Sequence, residues 1–346
     1  MKHKSSFKIQ RTFAQYLSVF ALAALILILS CNNFDEPSVK KSHTKPKPAG
    51  NIYFKFSGID SIYFLDTERH QFKTVNIAVP QLWDFDISQD GNWLLVAYGS
   101  YIDRYNLLKF HRDYSRKVEF LPRGRITCNG DGRVIIYETE YHAQRRLAVL
   151  YIETGDNFIL SSANDGAAFA PKIAHSGNEY AWTQYDGLYY GRINQIIVQR
   201  LSPKSIEAED FSPSGVYLAA DGDIFDVRSF SKYPGEHGGH LRFIDDYFLI
   251  QQKPSDSDSL QKINISGTER TYLFHTGMPI INFAVSNSQR FVIAVCTSPD
   301  AERFLFYVFD FVDLEDEFNL SFPVVRQAAL SKLIWPVPPS SSSQHD

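Results

Sequence analysis

One short turn recurs along this 346-residue chain and limits its possible folds more than any other feature. In residues 84–97, DFDISQDGNWLLVA, a short strand leads through the polar turn Ser88-Gln89-Asp90-Gly91 into a strongly apolar second strand. With the segments aligned on the turn glycine, the same position recurs at Gly132, Gly177, Gly215 and Gln289. The successive spacings are 41, 45, 38 and 74 residues, and the longest equals two periods of 37.

This period near 40 residues suits one four-stranded blade and predicts an all-β fold, a seven-bladed β-propeller. Six blades are predicted to begin near residues 82, 123, 168, 208, 240 and 280. The remaining blade is split, because residues 51–80 supply its later strands and the C-terminal segment 327–335, QAALSKLIW, supplies its first strand. Closure of the first blade by the C-terminal strand hides both edges of the ring. A six-bladed ring with one irregular hairpin is the alternative, since the fifth and sixth units are short.

Each full-length copy of the turn is preceded, four positions before the glycine, by an apolar residue. These residues are Ile87, Cys128, Ile173, Phe211 and Val285. A fixed apolar position in every unit predicts side chains that pack between neighbouring blades.

Two of the turns, Ser212-Pro213-Ser214-Gly215 and Ser88-Gln89-Asp90-Gly91, are similar to the Ser-Pro-Asp-Gly turn of TolB-type and WD-repeat-like β-propellers. No copy has the whole motif, and the Trp-Asp signature of WD repeats is missing from the blade ends. The resemblance covers residues 51 to about 336 and implies a fold, not a function.

The first 31 residues predict export and lipid anchoring. Residues 1–11 carry four basic side chains and no acid, and residues 13–29 are almost wholly apolar, which is the order of a secretory signal. The following Ser30-Cys31 resembles a bacterial lipobox, in which the chain is cut before Cys31 and that cysteine is lipidated; signals ending in Ser-Cys resemble those of Bacteroidota lipoproteins. Leu29 departs from the pattern, which prefers Ala or Ser. A retained transmembrane anchor is the alternative, because the apolar segment approaches the roughly 20 residues that span a bilayer.

The predicted organisation is therefore a signal peptide (1–30), a lipidated Cys31 with a flexible Lys/Pro tether (31–50), the propeller (51–336) and a disordered tail (337–346). The 19 residues that follow Cys31 can reach roughly 60 Å when fully stretched. The net charge of −4 becomes about −8 after loss of the four basic signal residues. No basic patch interleaved with aromatics is present, which argues against nucleic acid as a partner.

Three groups of residues can carry chemistry, and each has a structural explanation. Cys128 and Cys296 fall in blades nearly opposite each other, so we expect buried thiols without a disulfide. Segment 236–240, Glu-His-Gly-Gly-His, is metal-like, but spacing places no further ligand, and a glycine-rich connection is favoured. The acids Asp256/Asp258 and those of segment 313–317 do not match a calcium loop and are expected in solvated loops.

These observations predict a lipid-anchored, exported β-propeller that works as a non-catalytic binding or scaffolding module in the bacterial cell envelope, at the outer membrane. Nucleophile elbows, phosphate loops and dinucleotide fingerprints are absent, so no catalytic residue, metal site or cofactor is predicted. The expected partners are the membrane, through the lipid, and an envelope protein or glycan. The alternative is a propeller hydrolase or lyase acting on a sugar or lactone at the channel mouth, with carboxylates that converge from distant blades.

Overall fold

The computed structural model describes residues 47–77, 79–160, 166–195, 198–233, 239–253, 255–286, 288–323 and 329–336. All of these but Lys47 belong to one compact unit that begins at Pro48. The predicted signal peptide, Cys31 and the tail 337–346 lie outside the described residues, as does the tether up to residue 46. Within the described part of the chain, no helix is long and apolar enough to span a membrane.

The described residues form seven antiparallel four-stranded sheets, the blades of a propeller. In blades 1 to 3, the strands are β28 (Leu330–Ile334), β1 (Asn51–Phe56), β2 (Ile62–Asp66), β3 (Gln71–Thr74); β4 (Leu82–Ile87), β5 (Trp93–Tyr98), β6 (Tyr101–Asn106), β7 (His111–Lys117); β8 (Pro122–Cys128), β9 (Val134–Tyr141), β10 (Gln144–Tyr151), β11 (Asn157–Ile159). In blades 4 and 5, they are β12 (Phe169–Ile173), β13 (Glu179–Gln184), β14 (Gly187–Arg192), β15 (Val198–Ser202); β16 (Ala208–Phe211), β17 (Tyr217–Ala220), β18 (Asp223–Asp226), β19 (Ser231–Lys232). In blades 6 and 7, they are β20 (Leu241–Phe243), β21 (Phe248–Gln252), β22 (Ser259–Asn264), β23 (Arg270–His275); β24 (Ile280–Val285), β25 (Phe291–Thr297), β26 (Arg303–Asp310), β27 (Glu315–Pro323).

The seven-bladed prediction and its closure are confirmed. Strand β28, from the C-terminal end of the propeller, is the inner strand of blade 1 and pairs with β1 from the N-terminal end. The register sets Tyr53 opposite Ile334 and Phe54 opposite Leu333. Trp335 then donates from its indole to the carbonyl of Ala49 at 3.3 Å, which fixes the two ends of the ring together.

Seven apolar clusters, one at each junction between neighbouring blades, form the core. Four of the five residues at the repeated apolar position, Ile87, Cys128, Ile173 and Phe211, belong to these clusters, and Val285 packs against one as a half-buried residue. The prediction of packing between blades is therefore confirmed.

The repeated turn explains why serine stands where it does. The hydroxyl oxygens of Ser88 and Ser286 accept the backbone N–H five residues later, at Trp93 and Phe291, both at 2.9 Å. The turn then needs a left-handed residue, which Gly91 supplies with φ of 71°. Serine and glycine thus close a compact turn between the first and second strands of a blade.

Carboxylates protect the open edges of the inner strands, which would otherwise present unpaired backbone N–H groups. Asp84 accepts the N–H of Ile126 at 3.1 Å, and Asp86 accepts that of Cys128 at 2.9 Å. The same contact recurs farther round the ring, from the N–H of Phe243 to Asp210 at 3.0 Å. Each carboxylate reaches from one blade to the inner strand of the next, so the blades are joined by hydrogen bonds as well as by apolar packing.

The ring has two distinct ends. We call the end that carries the turns between first and second strands the turn face; the turns between third and fourth strands lie there too. We call the opposite end, with the hairpins between second and third strands and the connections between blades, the hairpin face. The propeller begins, at residues 48–50, and ends, at residues 335–336, on the turn face.

Candidate binding surfaces at the two ends of the ring

On the turn face the central channel opens into a cavity of about 310 Å³. Its wall is made by the ends of the seven inner strands and by the turns that follow them. Two carboxylates, Asp86 and Asp210, and two cationic side chains, Lys172 and Arg242, line it together with the imidazole of His175. Lys172 Nζ lies 3.7 Å from Asp210 Oδ1. The cavity wall is thus polar and its charges are balanced.

A half-buried lysine of the C-terminal strand lies deeper in the channel. Lys332 Nζ is 2.9 Å from Asp84 Oδ2 and 3.7 Å from Asp86 Oδ1, and it donates to the carbonyl of Ile126 at 2.9 Å. Burial disfavours its charge, but the two carboxylates outweigh burial, so the pKa of Lys332 is raised above its ordinary value. One side chain therefore links the inner strands of blades 1, 2 and 3.

Cys128 also lines the cavity, and it is the one thiol among the described residues of the cavity wall. Burial raises the pKa of the Cys128 thiol well above its ordinary value, and the carboxylate of Asp86 adds to the shift. Burial likewise raises the pKa of Cys296 to about 11. Both cysteines are free and buried, as expected, and a neutral thiol is a poor nucleophile.

The metal-like segment is only partly described, since residues 234–238 lie outside the described residues. Its last residue, His240, forms a hydrogen-bonded ion pair through Nδ1 with Glu209 Oε1. The other oxygen of Glu209 accepts the backbone N–H of Leu241 at 2.8 Å. The described part of the motif thus fixes the entry into blade 6.

We expect the imidazole of His240 to titrate above its ordinary pKa of 6.5, because the hydrogen bond to Glu209 favours the charged ring. The pair therefore contributes its full stabilisation below pH 6.5 and loses it as the pH rises through the raised pKa. NMR titration of the His240 ring should show the raised pKa in the wild type and a lower one in Glu209→Gln. The matched variant Glu207→Gln, whose carboxylate pairs with Arg125 instead, should leave it unchanged; an unshifted His240 in the wild type would contradict the assignment.

The acids Asp256 and Asp258 lie beside His275, a residue that spacing along the chain did not connect to them. The ligand-capable atoms of the three side chains lie within 4.8 Å of one another, so this is the group of described residues that could hold a metal ion. His275 Nε2 is already 2.8 Å from Asp258 Oδ2, and Lys253 Nζ is 3.7 Å from Asp256 Oδ2. Both carboxylates therefore already have a partner within the protein, Lys253 for Asp256 and His275 for Asp258. In the other acidic segment, Asp313 pairs with Arg290.

The hairpin face carries an aromatic surface across blades 2 and 3, in which Tyr101 and Tyr141 are exposed and the other members are half-buried. We call it the aromatic strip, and its members are Trp83, Tyr98, Tyr101, Phe120 and Tyr141. Tyr98 and Tyr101 stack at a centroid distance of 5.8 Å, and Phe120 meets Tyr141 edge-on at 5.6 Å. Trp83 and Phe120 pack against the apolar cluster between blades 2 and 3, whereas Tyr98 packs against the cluster between blades 1 and 2.

Polar groups are set among these rings. The guanidinium of Arg123 lies 5.5 Å from the centroid of the Trp83 ring. Beside it, Glu119, Leu121 and Glu140 help to line a shallow depression together with Phe120 and Tyr141. Trp83 is held in place because its indole donates to the carbonyl of Gly99 at 3.2 Å. The strip thus combines rigid aromatic rings with charges of both signs at a solvent-exposed edge.

No sequence motif marks the aromatic strip. Its residues are separated by up to 58 positions and come from the first, second and third strands and from the connection before blade 3. Each one, taken singly, is an ordinary strand-forming residue. Once the blades are assigned, however, aromatics at hairpin tips such as Tyr101 and Tyr141 fall on one face, and this signal was available in the sequence.

The fold and these surfaces define the class of the protein, a closed seven-bladed β-propeller with a polar channel. Neither a family profile nor a curated protein matches the sequence. Among solved structures, it is similar to the dihydro-heme d1 dehydrogenase NirN in complex with DHE, at 13% identity and a TM-score of 0.52, over 84% of this chain and 76% of that one.

It is also similar to the β-propeller domain of Cps50 (Swd1) from Myceliophteria thermophila, at 12% identity and a TM-score of 0.51, over 72% of this chain and 89% of that one. TolB from Acinetobacter baumannii matches at 14% identity and a TM-score of 0.49, over 82% of this chain and 66% of that one. At such low identity, the NirN and Cps50 matches show a shared propeller fold and nothing more.

Proposed function

We propose that the protein is an exported lipoprotein, anchored through Cys31 at the bacterial outer membrane, that binds another envelope protein without catalysis. The observation that carries the binding part is the aromatic strip on the hairpin face. Tyr, Trp and Arg dominate the binding energy of protein interfaces, and the strip presents tyrosines and Trp83, with Arg123 over the Trp83 ring, within two neighbouring blades. Rigid rings lose little conformational entropy on binding, which favours them as contact residues.

The non-catalytic part is supported by how the channel residues are used. The carboxylates of Asp86 and Asp210 accept backbone N–H groups of the next blade, so both already have a structural role. The buried carboxyl of Glu138, whose pKa is raised by burial, accepts the N–H of Ala170 at 2.7 Å and does not line the cavity. The dehydrogenase activity of NirN belongs to that protein, because the similarity extends to the fold alone.

Capture of the tagged lipoprotein from detergent-solubilised envelopes, followed by affinity measurement with the purified partner, tests the proposal. We expect Tyr141→Ala or Tyr101→Ala to weaken binding at least tenfold, since a central aromatic contact is worth about 2 kcal/mol or more. Tyr247→Ala is the matched control, because Tyr247 is a tyrosine that is 71% exposed but lies on the turn face.

Three results would contradict the proposal. Equal loss of binding in the Tyr247 variant, or none in the strip variants, would remove the strip as the binding surface. Capture of an envelope glycan and no protein would replace the partner class. Turnover of an envelope sugar by the purified protein would overturn the non-catalytic part.

A further inference from the structure

A second exposed surface lies on the turn face, at the outer rim of the ring. We call the turns between third and fourth strands the rim turns. Three of them, in blades 2, 5 and 7, expose large apolar side chains: Leu108, Phe110, Phe230, Val312 and Leu314. Between 39% and 57% of each of these side chains is exposed to solvent. None of them is part of the aromatic strip, which lies at the opposite end of the ring.

Three of these five residues have an unfavourable backbone conformation. Phe110, Phe230 and Leu314 each stand four residues after the end of a strand and have φ of 48°, 54° and 56°. The same position in blade 3 is Gly155, the residue that a left-handed conformation favours. A bulky side chain there costs conformational strain. Three of the rim turns nevertheless keep a large apolar residue at this position.

Each of these turns is also braced from inside. The side chain that ends the third strand accepts backbone N–H groups of its own turn: Asn106 from Lys109 at 2.9 Å, Asp226 from Arg228 at 2.8 Å, and Asp310 from Val312 at 2.9 Å. This contact fixes the turn in one shape. Two of the tips also contact tyrosines of the ring, Phe110 with Tyr105 at a centroid distance of 6.4 Å and Phe230 with Tyr190 at 6.1 Å, so these tips are held in fixed positions.

The three turns are spread round the ring. Going from blade 2 to blade 5, from 5 to 7 and from 7 back to 2 takes three, two and two steps. A compact partner seated on one side of the ring would meet one or two of them. A broad, flat surface that covers the whole turn face can contact all three turns at the same time.

The polypeptide enters the propeller on this same face. The carbonyl of Gly50 accepts the hydroxyl of Thr67, in the rim turn of blade 1, at 2.7 Å, and Ala49 is held by Trp335. Exposed basic residues adjoin two of the apolar tips, Lys109 beside Phe110 and Arg228 near Phe230. Apolar side chains flanked by Lys or Arg suit the boundary between acyl chains and anionic headgroups.

We propose that the turn face is a membrane-contact surface, and that the rim turns of blades 2, 5 and 7 seat the propeller flat on the lipid bilayer that carries its anchor. The inference rests on the proposed lipid anchor and adds an orientation to it. A tether that reaches roughly 60 Å does not by itself decide which face meets the membrane, so the rim turns supply the preference. The hairpin face, with the aromatic strip, then points away from the bilayer.

Site-specific fluorescence on the full mature lipoprotein in vesicles of phosphatidylethanolamine and phosphatidylglycerol tests the orientation. An environment-sensitive thiol probe is placed by Phe110→Cys, Phe230→Cys or Leu314→Cys; the native Cys128 and Cys296 are buried. The control is Tyr185→Cys, because Tyr185 is 78% exposed on the hairpin face. With a quencher on the lipid chains, we expect quenching at all three rim positions to exceed that at the control at least twofold. Equal quenching at all four positions would overturn the proposal, and so would quenching confined to one rim turn.

A second arm separates failure of the orientation from failure of the anchor. A chain that starts at residue 32 carries an N-terminal hexahistidine and is tethered to nickel-chelating lipids, which supply an anchor without acylation; because Cys31 is left out, the probe does not label a thiol beside the anchor. The same rim quenching is expected in this arm. If Cys31 carries no lipid label but the rim positions are quenched in the nickel arm, the lipid anchor is rejected and the membrane-contact surface is supported. If Cys31 is labelled but the rim positions are not quenched in the nickel arm, the membrane-contact surface is rejected and the lipid anchor is supported.

Glycine variants separate a contact role from a structural one. Phe110→Gly, Phe230→Gly and Leu314→Gly relieve the left-handed strain, so each should leave the denaturation midpoint unchanged or raise it. Combining Phe110→Gly and Phe230→Gly should at the same time reduce quenching of a probe at Leu314 to the control level. A lower denaturation midpoint together with unchanged quenching would show that the residues serve the fold alone and would overturn the proposal.

Discussion

A chain that ends at Pro323 is expected to lose the cooperative fold of the whole ring. It lacks β28, so β1 is left with an open edge at the centre of the propeller. It also lacks Trp335, which is 4% exposed and belongs to the apolar cluster between blades 7 and 1. Loss of each buried large side chain costs about 2–5 kcal/mol, so the total exceeds about 5 kcal/mol, a large part of the stability of a typical domain.

Chemical denaturation followed by circular dichroism, with limited proteolysis, measures this effect. A chain that ends at Pro336 keeps β28 and Trp335 and is the matched control, expected to unfold at the wild-type midpoint. Wild-type behaviour of the chain ending at Pro323 would contradict the importance of ring closure. A smaller change, Trp335→Ala, should cost about 3 kcal/mol through the same cluster.

The architecture was accessible from the sequence because each blade repeats a local signal. Turn residues such as Gly91 and Gln289 take the left-handed conformation, and the apolar residue four positions earlier packs between blades. One step of the period beyond Gln289 reaches the C-terminal strand, so even the closure of the ring followed from counting. Each blade imposes the same backbone requirements on its turn, so the residues that meet them repeat at a regular spacing in the sequence.

The surfaces were not accessible in the same way, because they depend on which elements become neighbours in space. Lys332 meets Asp84, 248 positions away, and no pattern in the sequence joins them. His275 meets Asp258 through the pairing of two strands. The rim turns could be predicted from the sequence in part. An Asp or Asn at the end of a strand, followed four residues later by Phe110, Phe230 or Leu314, is a repeated signal that can be read once the blades are assigned.

Lys332→Met is expected to destabilise the protein by about 2–3 kcal/mol. The Lys332 and Asp84 side chains are 20% and 11% exposed, so the effect should fall somewhat below that of breaking a fully buried ion pair, about 3–5 kcal/mol. Without the lysine, the carboxylates of Asp84 and Asp86 lose the cation that contacts them, although Lys55 and Arg125 still act on Asp84 from farther away. Urea denaturation at pH 7 measures the loss. The control Lys262→Met removes a lysine that lies over the Phe248 ring in blade 6, away from the channel carboxylates, and should cost less than about 1 kcal/mol.

The double variant Asp84→Asn/Lys332→Met identifies the ion pair as the cause. Asparagine keeps an oxygen that accepts the N–H of Ile126, so the double variant should lose less stability than the two single variants added together.

The pH dependence of stability gives an independent check. Because the pKa of Lys332 is raised above 10.5, its stabilisation is fully present below pH 10.5 and is lost as the pH rises through the raised value. The stability difference between wild type and Lys332→Met should therefore stay constant from pH 7 to about pH 10 and shrink above that. If the stability losses of the two single variants simply add up in the double variant, the ion pair is not the cause of the destabilisation. If the difference between wild type and Lys332→Met is already gone at pH 9, the charge of Lys332 does not stabilise the ring.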